Sequence, residues 1–236
     1  MNFLILVCIG PIFENRHENA LKRIMIFIIA GLSILSYLLG SIPTAIWYGT
    51  NYHGIDIRTQ GSGNAGATNT FRVLGKKAGS IVLFVDALKG FIATGLAAVL
   101  FYFHLIDWQT CVTLKIFFGF LAIIGHLLPV FCDFKGGKGV ATTLGMVLAL
   151  HPMAALVSIL VFLIVFGISH FVSLGSMVAS IVFPLLLTFS VFGEEIPTLI
   201  YFGYFIAFLV VFTHRMNIVR IFQGTENRMY LIPSKK

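Results

Sequence analysis

Residues 125–145, GHLLPVFCDFKGGKGVATTLG, join two apolar runs through a short segment rich in glycine and lysine. Residues 61–75, GSGNAGATNTFRVLG, are a second such segment, with hydroxyls, amides and an arginine. Glycine lets backbone N–H groups approach a ligand closely, and lysine and arginine supply positive charge. The two segments therefore predict phosphate binding between helices that are otherwise apolar.

The composition is that of an integral membrane protein. The chain has 236 residues, of which 58% are hydrophobic and only 11% charged, whereas soluble domains are about one quarter charged. The net charge of +7 does not indicate nucleic-acid binding, because the basic residues lie in short segments between apolar runs. Three cysteines without CxxC spacing indicate neither a zinc site nor a disulfide framework. We expect membrane lipids as partners, and no nucleic acid, metal or cofactor.

The apolar runs predict an all-α, polytopic transmembrane helical bundle. A bilayer core about 30 Å thick takes about 20 residues as helix. The region 139–167 is one kinked span or two short ones, because His151-Pro152 interrupts it. With two spans there, the predicted helices are 24–48, 78–104, 112–131, 140–150, 153–167, 171–192 and 197–213.

The distribution of lysine and arginine selects the seven-helix alternative. Basic residues cluster in 49–77, in 132–139 and in the tail 214–236, and such segments stay in the cytoplasm. An even number of spans must then separate 132–139 from the tail, which requires the split at His151-Pro152. The N-terminus is outside and the C-terminus inside. The membrane domain is 25–213, with cytoplasmic loops 49–77, 132–139 and 168–176.

The first 24 residues disagree with this topology. Residues 1–13 are apolar but too short to span a bilayer, and they lack the basic start of a signal peptide. The following Arg16, Lys22 and Arg23 would lie outside, against the positive-inside rule. Translation from Met25 removes the conflict, so we expect 1–24 to be an extension that is not translated.

The first glycine-rich segment contains GxGxxG at Gly61, Gly63 and Gly66, with Asp86 twenty residues beyond. A dinucleotide site would need a strand–turn–helix context, and here an apolar helix precedes the motif. The alternative is that this segment is only a flexible glycine connection between helices. The position of Arg72 near a helix start is the observation that this alternative explains least well. The candidate phosphate-binding residues here are Ser62, Gly63, Asn64, Thr68, Asn69 and Arg72.

The second segment, FKGGKG, is not a Walker A motif, because the first glycine and the hydroxyl after lysine are missing. Its glycines lead into a helix at Val140 whose N-terminus attracts anions. Ser173 and Ser176 lie at the start of the sixth span, where they are helix caps or ligands. The binding candidates here are Lys135, Gly136, Gly137, Lys138, Gly139, Ser173 and Ser176.

Two further pairs of residues are candidates for chemistry. His214 and Asn217 share one face if the seventh helix continues by a turn. They then serve as proton acceptor or hydroxyl-positioning group and as donor to a carbonyl oxygen, or else they cap the helix at the interface. Asp86 and Lys89 lie inside the second span, where they are functional groups or a structural i,i+3 ion pair.

Taken together, these motifs resemble the bacterial acyl-phosphate:glycerol-3-phosphate acyltransferase family. The resemblance covers most of the chain from Met25 to Arg228. It rests on GSIP at 40–43, the segment 61–75, DALKG at 86–90, the segment 125–145 and HRMNIVRIFQGTEN at 214–227. The resemblance implies a seven-helix inner-membrane enzyme with a cytoplasmic site. It transfers a fatty acyl group from acyl phosphate to the 1-hydroxyl of sn-glycerol 3-phosphate, giving lysophosphatidic acid and phosphate. His214 and Asn217 match the family's catalytic pair.

The chemistry of acyl phosphate agrees with this residue set. A mixed anhydride carries a good leaving group, so positioning and electrostatic stabilisation suffice without a covalent acyl-enzyme. We expect the enzyme to act as a monomer. Two alternatives are an organic-phosphate transporter, whose site would lie near the membrane midplane, and an acyltransferase that uses another donor, such as acyl-CoA.

The topology predicts the side of the membrane on which two engineered cysteines lie. Because lysine and arginine resist translocation, a cysteine at Glu194 is expected outside and one at Lys235 inside. An impermeant thiol reagent on intact cells should label the first and spare the second. The reverse pattern would contradict the assigned orientation.

Overall fold

The computed structural model describes residues 3–230, and it describes side chains from residue 19 onward. Met1 and Asn2, and residues 231–236 with Lys235 and Lys236, lie outside the described residues. The side chains of the predicted extension are therefore described only from residue 19 to residue 24. Whether translation starts at Met25 stays a prediction.

The described part of the chain is built from α-helices, with short 3-10 turns at Ile57–Thr59 and Val130–Cys132. Among these residues, β-type pairing is limited to one isolated bridge, between Val191 and Gly193. The helices are α1 Phe3–Ser41, α2 Thr44–His53, α3 Ala67–Tyr102, α4 Trp108–Leu127, α5 Val140–Leu150, α6 Pro152–Ser169, α7 Val172–Thr188, α8 Pro197–Thr213 and α9 Arg215–Phe222.

The predicted first span, 24–48, is two helices in the structure. Helix α1 ends at Ser41 and α2 begins at Thr44, with Ile42 and Pro43 between them. Proline lacks a backbone N–H and disfavours helical geometry in the residue before it. The apolar run continues through this proline, so hydropathy alone does not reveal the break.

The predicted loop 49–77 is helical at both ends. Helix α2 continues to His53, and α3 starts at Ala67, so the connection covers 54–66. Gly75, at φ 85° and ψ −177°, kinks α3 and separates its first two turns from the long apolar part. Thr68, Asn69 and Arg72 therefore lie on a helix rather than in a flexible loop.

The predicted break between two helices at His151-Pro152 is confirmed, whereas two membrane spans there stay a prediction. Helix α5 ends at Leu150, and α6 starts at Pro152, the first helical position, where proline is well tolerated. His151 accepts a hydrogen bond from the Ala154 N–H through Nδ1 at 3.1 Å and contacts Glu195 Oε1 through Nε2 at 2.9 Å. His151 thus has a carboxylate partner, which the sequence reading did not assign to it.

Helix length and hydropathy support fewer spans than seven. Four helices of the described residues are long and apolar enough to cross a membrane, or up to five if α8 and α9 count as one bent span. Helix α5 has 11 residues and α7 has 17, which at 1.5 Å per residue gives about 16 and 26 Å. The chain is an all-helical membrane bundle, and the number seven stays a prediction.

Glycines allow the helices nearest the site to pack closely. A Cβ atom at Gly90 of α3 would overlap the Thr142 carbonyl of α5, and one at Gly145 of α5 would overlap the Ala87 carbonyl of α3. Small residues permit such backbone approach between membrane helices. Helices α3 and α5 are thereby fixed against each other, with the glycine-rich segment at the start of α5.

Candidate active site

A buried carboxylate joins helices α7 and α9 at one end of the bundle. Glu226 Oε1 accepts hydrogen bonds from Ser173 Oγ of α7 at 2.9 Å and from Asn217 Nδ2 of α9 at 2.7 Å. Glu226 Oε2 accepts one from Arg220 Nε at 2.8 Å. The Glu226 side chain is 2% exposed, so these bonds replace its solvation almost entirely. Burial by itself would raise the pKa of Glu226, but the bonds from Arg220, Asn217 and Ser173 outweigh burial and lower it.

The backbone after α9 carries Glu226 back to the start of α7. Gly224 adopts the left-handed conformation at φ 70°, which ends the helix, and the N–H groups of Thr225 and Glu226 then bond to the Arg220 carbonyl. Further along, the Met229 N–H donates to the His170 carbonyl at 2.9 Å. The chain therefore crosses the α6–α7 connection and holds the carboxylate beside Ser173.

Ser173 is not the N-cap of α7. Phe171 occupies that position, and its side chain makes no capping bond. The Ser173 hydroxyl is buried and bonds to Glu226, whereas Ser176 Oγ donates to the Val172 carbonyl within α7 at 2.9 Å. Of the two serines predicted as caps or ligands, Ser173 belongs to the cluster and Ser176 bonds within its own helix.

Lys138 connects the FKGGKG segment to the same cluster. Its Nζ donates a short hydrogen bond to Asn217 Oδ1, so the Asn217 amide bridges Lys138 and Glu226. Burial lowers the pKa of Lys138 to about 8, and the positive charges of Arg220 and Arg72 act in the same direction against the attraction of Glu226. Lys138 is therefore mostly charged at neutral pH and loses its charge in mildly alkaline solution.

Arg72 supplies a buried donor without a partner. One guanidinium nitrogen contacts the Asn227 carbonyl at 3.4 Å, while Nε is buried and has no hydrogen-bond partner among the described residues. Its charge interacts with Glu226 and Arg220. A buried unsatisfied donor is costly, and it marks a place where a ligand or water completes the structure.

His214 lies in the break between α8 and α9, which are bent by 56°. The helix does not continue straight, although the Asn217 N–H still bonds to the His214 carbonyl at 2.8 Å. His214 Nδ1 is 2.8 Å from the Val210 carbonyl. A carbonyl only accepts, so Nδ1 carries the proton and Nε2 is the acceptor. Burial, with the charge of Lys138, lowers the pKa of His214 to about 4, so the ring is neutral at pH 7.

The amide of Asn69 organises the first glycine-rich segment. Asn69 Nδ2 donates to the carbonyls of Ile57 and Gln60, at 2.9 and 3.0 Å, and Oδ1 accepts from the Ser62 N–H at 2.9 Å. Asn69 is buried. Its side chain thus folds the 57–62 segment onto the start of α3, and both ends of the amide are occupied by backbone.

Among the described residues, the hydrogen bonds of the other candidates in this segment do not reach Glu226 or its partners Ser173, Asn217 and Arg220. Gly63 has φ 71°, and its N–H donates to the Gln60 carbonyl. The Asn64 carbonyl accepts from the Gly66 N–H. Ser62 is exposed, and Thr68 is partly buried in the first turn of α3.

The glycines of FKGGKG pack against the end of α4. The Gly136 N–H donates to the Leu127 carbonyl at 3.1 Å, and the Gly137 N–H donates to the His126 carbonyl at 3.2 Å. Gly139, at φ 79°, is the N-cap of α5. Lys135 is exposed. The two lysines therefore differ, because Lys138 lies in the cluster and Lys135 faces solvent.

Sequence reasoning did not select Arg220 or Glu226. Both lie in the segment 214–227, and Glu226 is the only acidic residue after Glu195. An isolated carboxylate among basic residues was the available signal. Its partners come from α7 and α9, and such contacts across helices do not appear in the spacing.

One polar cluster at one end of the apolar bundle thus contains residues from four places: the start of α7, the segment before α5, the first turns of α3, and helix α9. Three cationic side chains, Arg72, Lys138 and Arg220, accompany one carboxylate. A neutral histidine, whose acceptor nitrogen has no hydrogen-bond partner among the described residues, is electrostatically coupled to Lys138 and Glu226. This combination defines a membrane-embedded enzyme that acts on an anionic substrate.

Comparison with known proteins gives the family. The sequence profile described as glycerol-3-phosphate acyltransferase matches residues 30–224. The chain belongs to this family and is an acyltransferase that acylates glycerol 3-phosphate in phospholipid synthesis. The predicted family resemblance is confirmed.

Relatives and solved structures agree with this assignment. A glycerol-3-phosphate acyltransferase of Chlorobium limicola is 40% identical over 230 residues, covering 87% of this chain and 97% of that protein. One of Salinibacter ruber is 41% identical over 206 residues, covering 83% and 90%. The crystal structure of PlsY, an integral membrane glycerol 3-phosphate acyltransferase in its glycerol 3-phosphate form, superposes with a TM-score of 0.73. It is 40% identical, and the match covers 86% of this chain and 96% of that one.

Proposed function

We propose that this chain transfers a fatty acyl group from acyl phosphate to the 1-hydroxyl of sn-glycerol 3-phosphate, giving lysophosphatidic acid and phosphate. It acts as a monomer in the bacterial inner membrane, with the site open to the cytoplasm. Seven spans, with the N-terminus outside, place the basic segments on that side. The observation that carries the proposal is the buried, unpartnered Nε of Arg72 within a cationic cluster.

The charges of the cluster suit a phosphate monoester. Arg72, Lys138 and Arg220 carry three positive charges against the one negative charge of Glu226, which leaves two in excess. A phosphate monoester near neutral pH carries up to two negative charges. Arg72 offers a planar fork of donors, and Lys138 offers a point charge. We assign the phosphate of glycerol 3-phosphate to these two side chains and the exposed Lys135 to the phosphate of the donor.

The reaction requires a positioned hydroxyl more than a strong base. The hydroxyl oxygen bonds to the acyl carbon while the bond from that carbon to the phosphate oxygen breaks. The hydroxyl proton ends on the released phosphate, so atoms and charge balance. His214 Nε2 accepts a hydrogen bond from the hydroxyl and orients it, which fits the low pKa of this ring. Lys138 and the Asn217 amide stabilise negative charge that develops on the carbonyl oxygen.

Lys138 predicts an alkaline limit on activity. As pH rises through about 8, the lysine loses its charge and the dianionic phosphate loses an attractive partner. The kcat/KM for glycerol 3-phosphate should fall about tenfold between about pH 7 and pH 9, because a group titrating near pH 8 changes its charged fraction by that factor. Lys138→Arg, which stays charged, should lower the rate but remove the decline. The same decline in that variant would assign it to another group.

His214 and Asn217 predict the kinetic mechanism. His214→Ala and Asn217→Ala should each lower turnover by about 10²–10⁴-fold, with smaller changes in the KM values. Met216→Ala, at an exposed position of α9, is the matched control and should keep normal turnover.

Direct transfer passes through a ternary complex, so initial rates with both substrates varied should give intersecting lines. Parallel lines, or labelled acyl chains retained on the denatured protein, would contradict this mechanism. Replacing acyl phosphate by acyl-CoA in the same assay tests the donor, and equal rates with both would contradict the donor assignment.

A further inference from the structure

Beneath the glycine-rich segments lies a second group of buried polar side chains that the proposed reaction does not use. Asp86 and Lys89 of α3 form an ion pair at 2.9 Å, with side-chain exposures of 1% and 4%. Lys89 Nζ also donates to the Ile42 carbonyl at 2.9 Å, and Asp86 Oδ1 accepts from Thr44 Oγ1 at 2.9 Å. The pair therefore fastens α3 to Ile42 in the break between α1 and α2 and to Thr44 at the start of α2.

His126 connects this ion pair to the FKGGKG segment. Its Nδ1 is 3.7 Å from Asp86 Oδ1, is buried, and has no hydrogen-bond partner among the described residues. The other side of the ring lies against Gly137, where an added Cβ would overlap Nε2. The carbonyl of the same histidine accepts the Gly137 N–H. Side chain and backbone of His126 thus support the residue immediately before Lys138.

The break and both glycine-rich segments border one small cavity. Its lining includes Pro43 and Thr44 of the break, Ala65 of the first segment, His126, and Gly136 and Gly137 of the second. A shift of the break therefore changes the support of both segments at once. Removing one member of a buried ion pair destabilises the protein strongly, because the other charge stays buried without a partner.

We propose that Asp86 and Lys89 are positioning residues of this acyltransferase. Acting through the Ile42–Thr44 break and through His126, they fix the Gly136-Gly137 backbone and so set the position of Lys138. The part of this inference that concerns substrate rests on the phosphate-binding role proposed for Lys138. The structural coupling between the ion pair and the Gly136-Gly137 backbone is inferred from the contacts alone.

The test removes both charges together. Asp86→Leu with Lys89→Met keeps side-chain volume and leaves no unpaired charge, and such replacements of buried pairs are often neutral for stability. Thr44→Val removes only the hydroxyl bond to Asp86 and serves as a second, nearly isosteric variant. Thr94→Val is the matched control, since it removes a buried hydroxyl of α3 that bonds within its own helix, to the Gly90 carbonyl.

The first measurement is amide hydrogen exchange of the peptide covering 130–139. In the double variant we expect exchange about tenfold faster at Gly136 and Gly137, because their bonds to Leu127 and His126 open more often, while 152–169 is unchanged. Thr44→Val should show a smaller increase and Thr94→Val none. Unchanged exchange in both the double variant and Thr44→Val overturns the inference.

The second measurement is steady-state kinetics. Loss of folded enzyme lowers apparent turnover and leaves KM unchanged, whereas a displaced Lys138 should raise KM for glycerol 3-phosphate by about tenfold. Faster exchange with a raised KM supports the full inference. Faster exchange with an unchanged KM supports the structural coupling and contradicts the phosphate-binding role of Lys138, so the two proposals fail separately.

Discussion

The arrangement of the site depends on the carboxylate of Glu226. It lies almost fully buried and accepts hydrogen bonds from α7 and from two residues of α9, while Asn217 extends the network to Lys138 before α5. A single negative charge holds groups that would otherwise repel one another. Since charge-assisted hydrogen bonds in a buried site are strong, this anion can keep several cations and the neutral His214 in one place. The net positive charge that remains is available to a phosphorylated substrate.

The bundle has two polar layers with different tasks. The Glu226 cluster lies where the helix ends meet the polar segments, and it contains the residues proposed to contact substrate. The Asp86–Lys89 pair lies inside the bundle, and its hydrogen bonds go to backbone and hydroxyl groups of neighbouring helices. An intramembrane charged pair would suit the binding site of a transporter, but these contacts give it a structural role. The pair therefore gives no support to the alternative of an organic-phosphate transporter.

The sequence predicted those features that depend on local composition. Apolar runs located the helices, and His151-Pro152 located the break between α5 and α6. The exact start of α3 was missed because GATNTF looks like loop by composition, although Asn69 uses its amide to fold the preceding turn onto that helix. The break at Ile42-Pro43 was missed for the opposite reason, since the apolar run continues through it. The range of α5, Val140–Leu150, was predicted as observed, whereas α7 ends at Thr188 and not at the predicted residue 192.

The site could be predicted by residue type but not by partner. Arg72, Lys138 and Ser173 were selected because phosphate binding needs cations and hydroxyls, and Asn217 because its amide can donate to a carbonyl oxygen. Which of them meet depends on the path of residues 223–230 back to the α6–α7 connection, and no spacing in the sequence encodes that path. Glu226 was missed because the search for a phosphate site looks for cations and hydroxyls, although this carboxylate is what assembles the cations.

Turnover of a Glu226→Gln variant tests the central claim most directly. Glutamine keeps the shape but removes the charge, so the account predicts a fall in kcat/KM of about 100-fold, or about 3 kcal/mol, with the protein still folded. Glu195→Gln is the matched control, because that carboxylate contacts His151 at the opposite end of α8, and its activity should stay within about twofold of the parent enzyme. A Glu226→Gln enzyme as active as the parent would contradict the claim that this carboxylate organises the site.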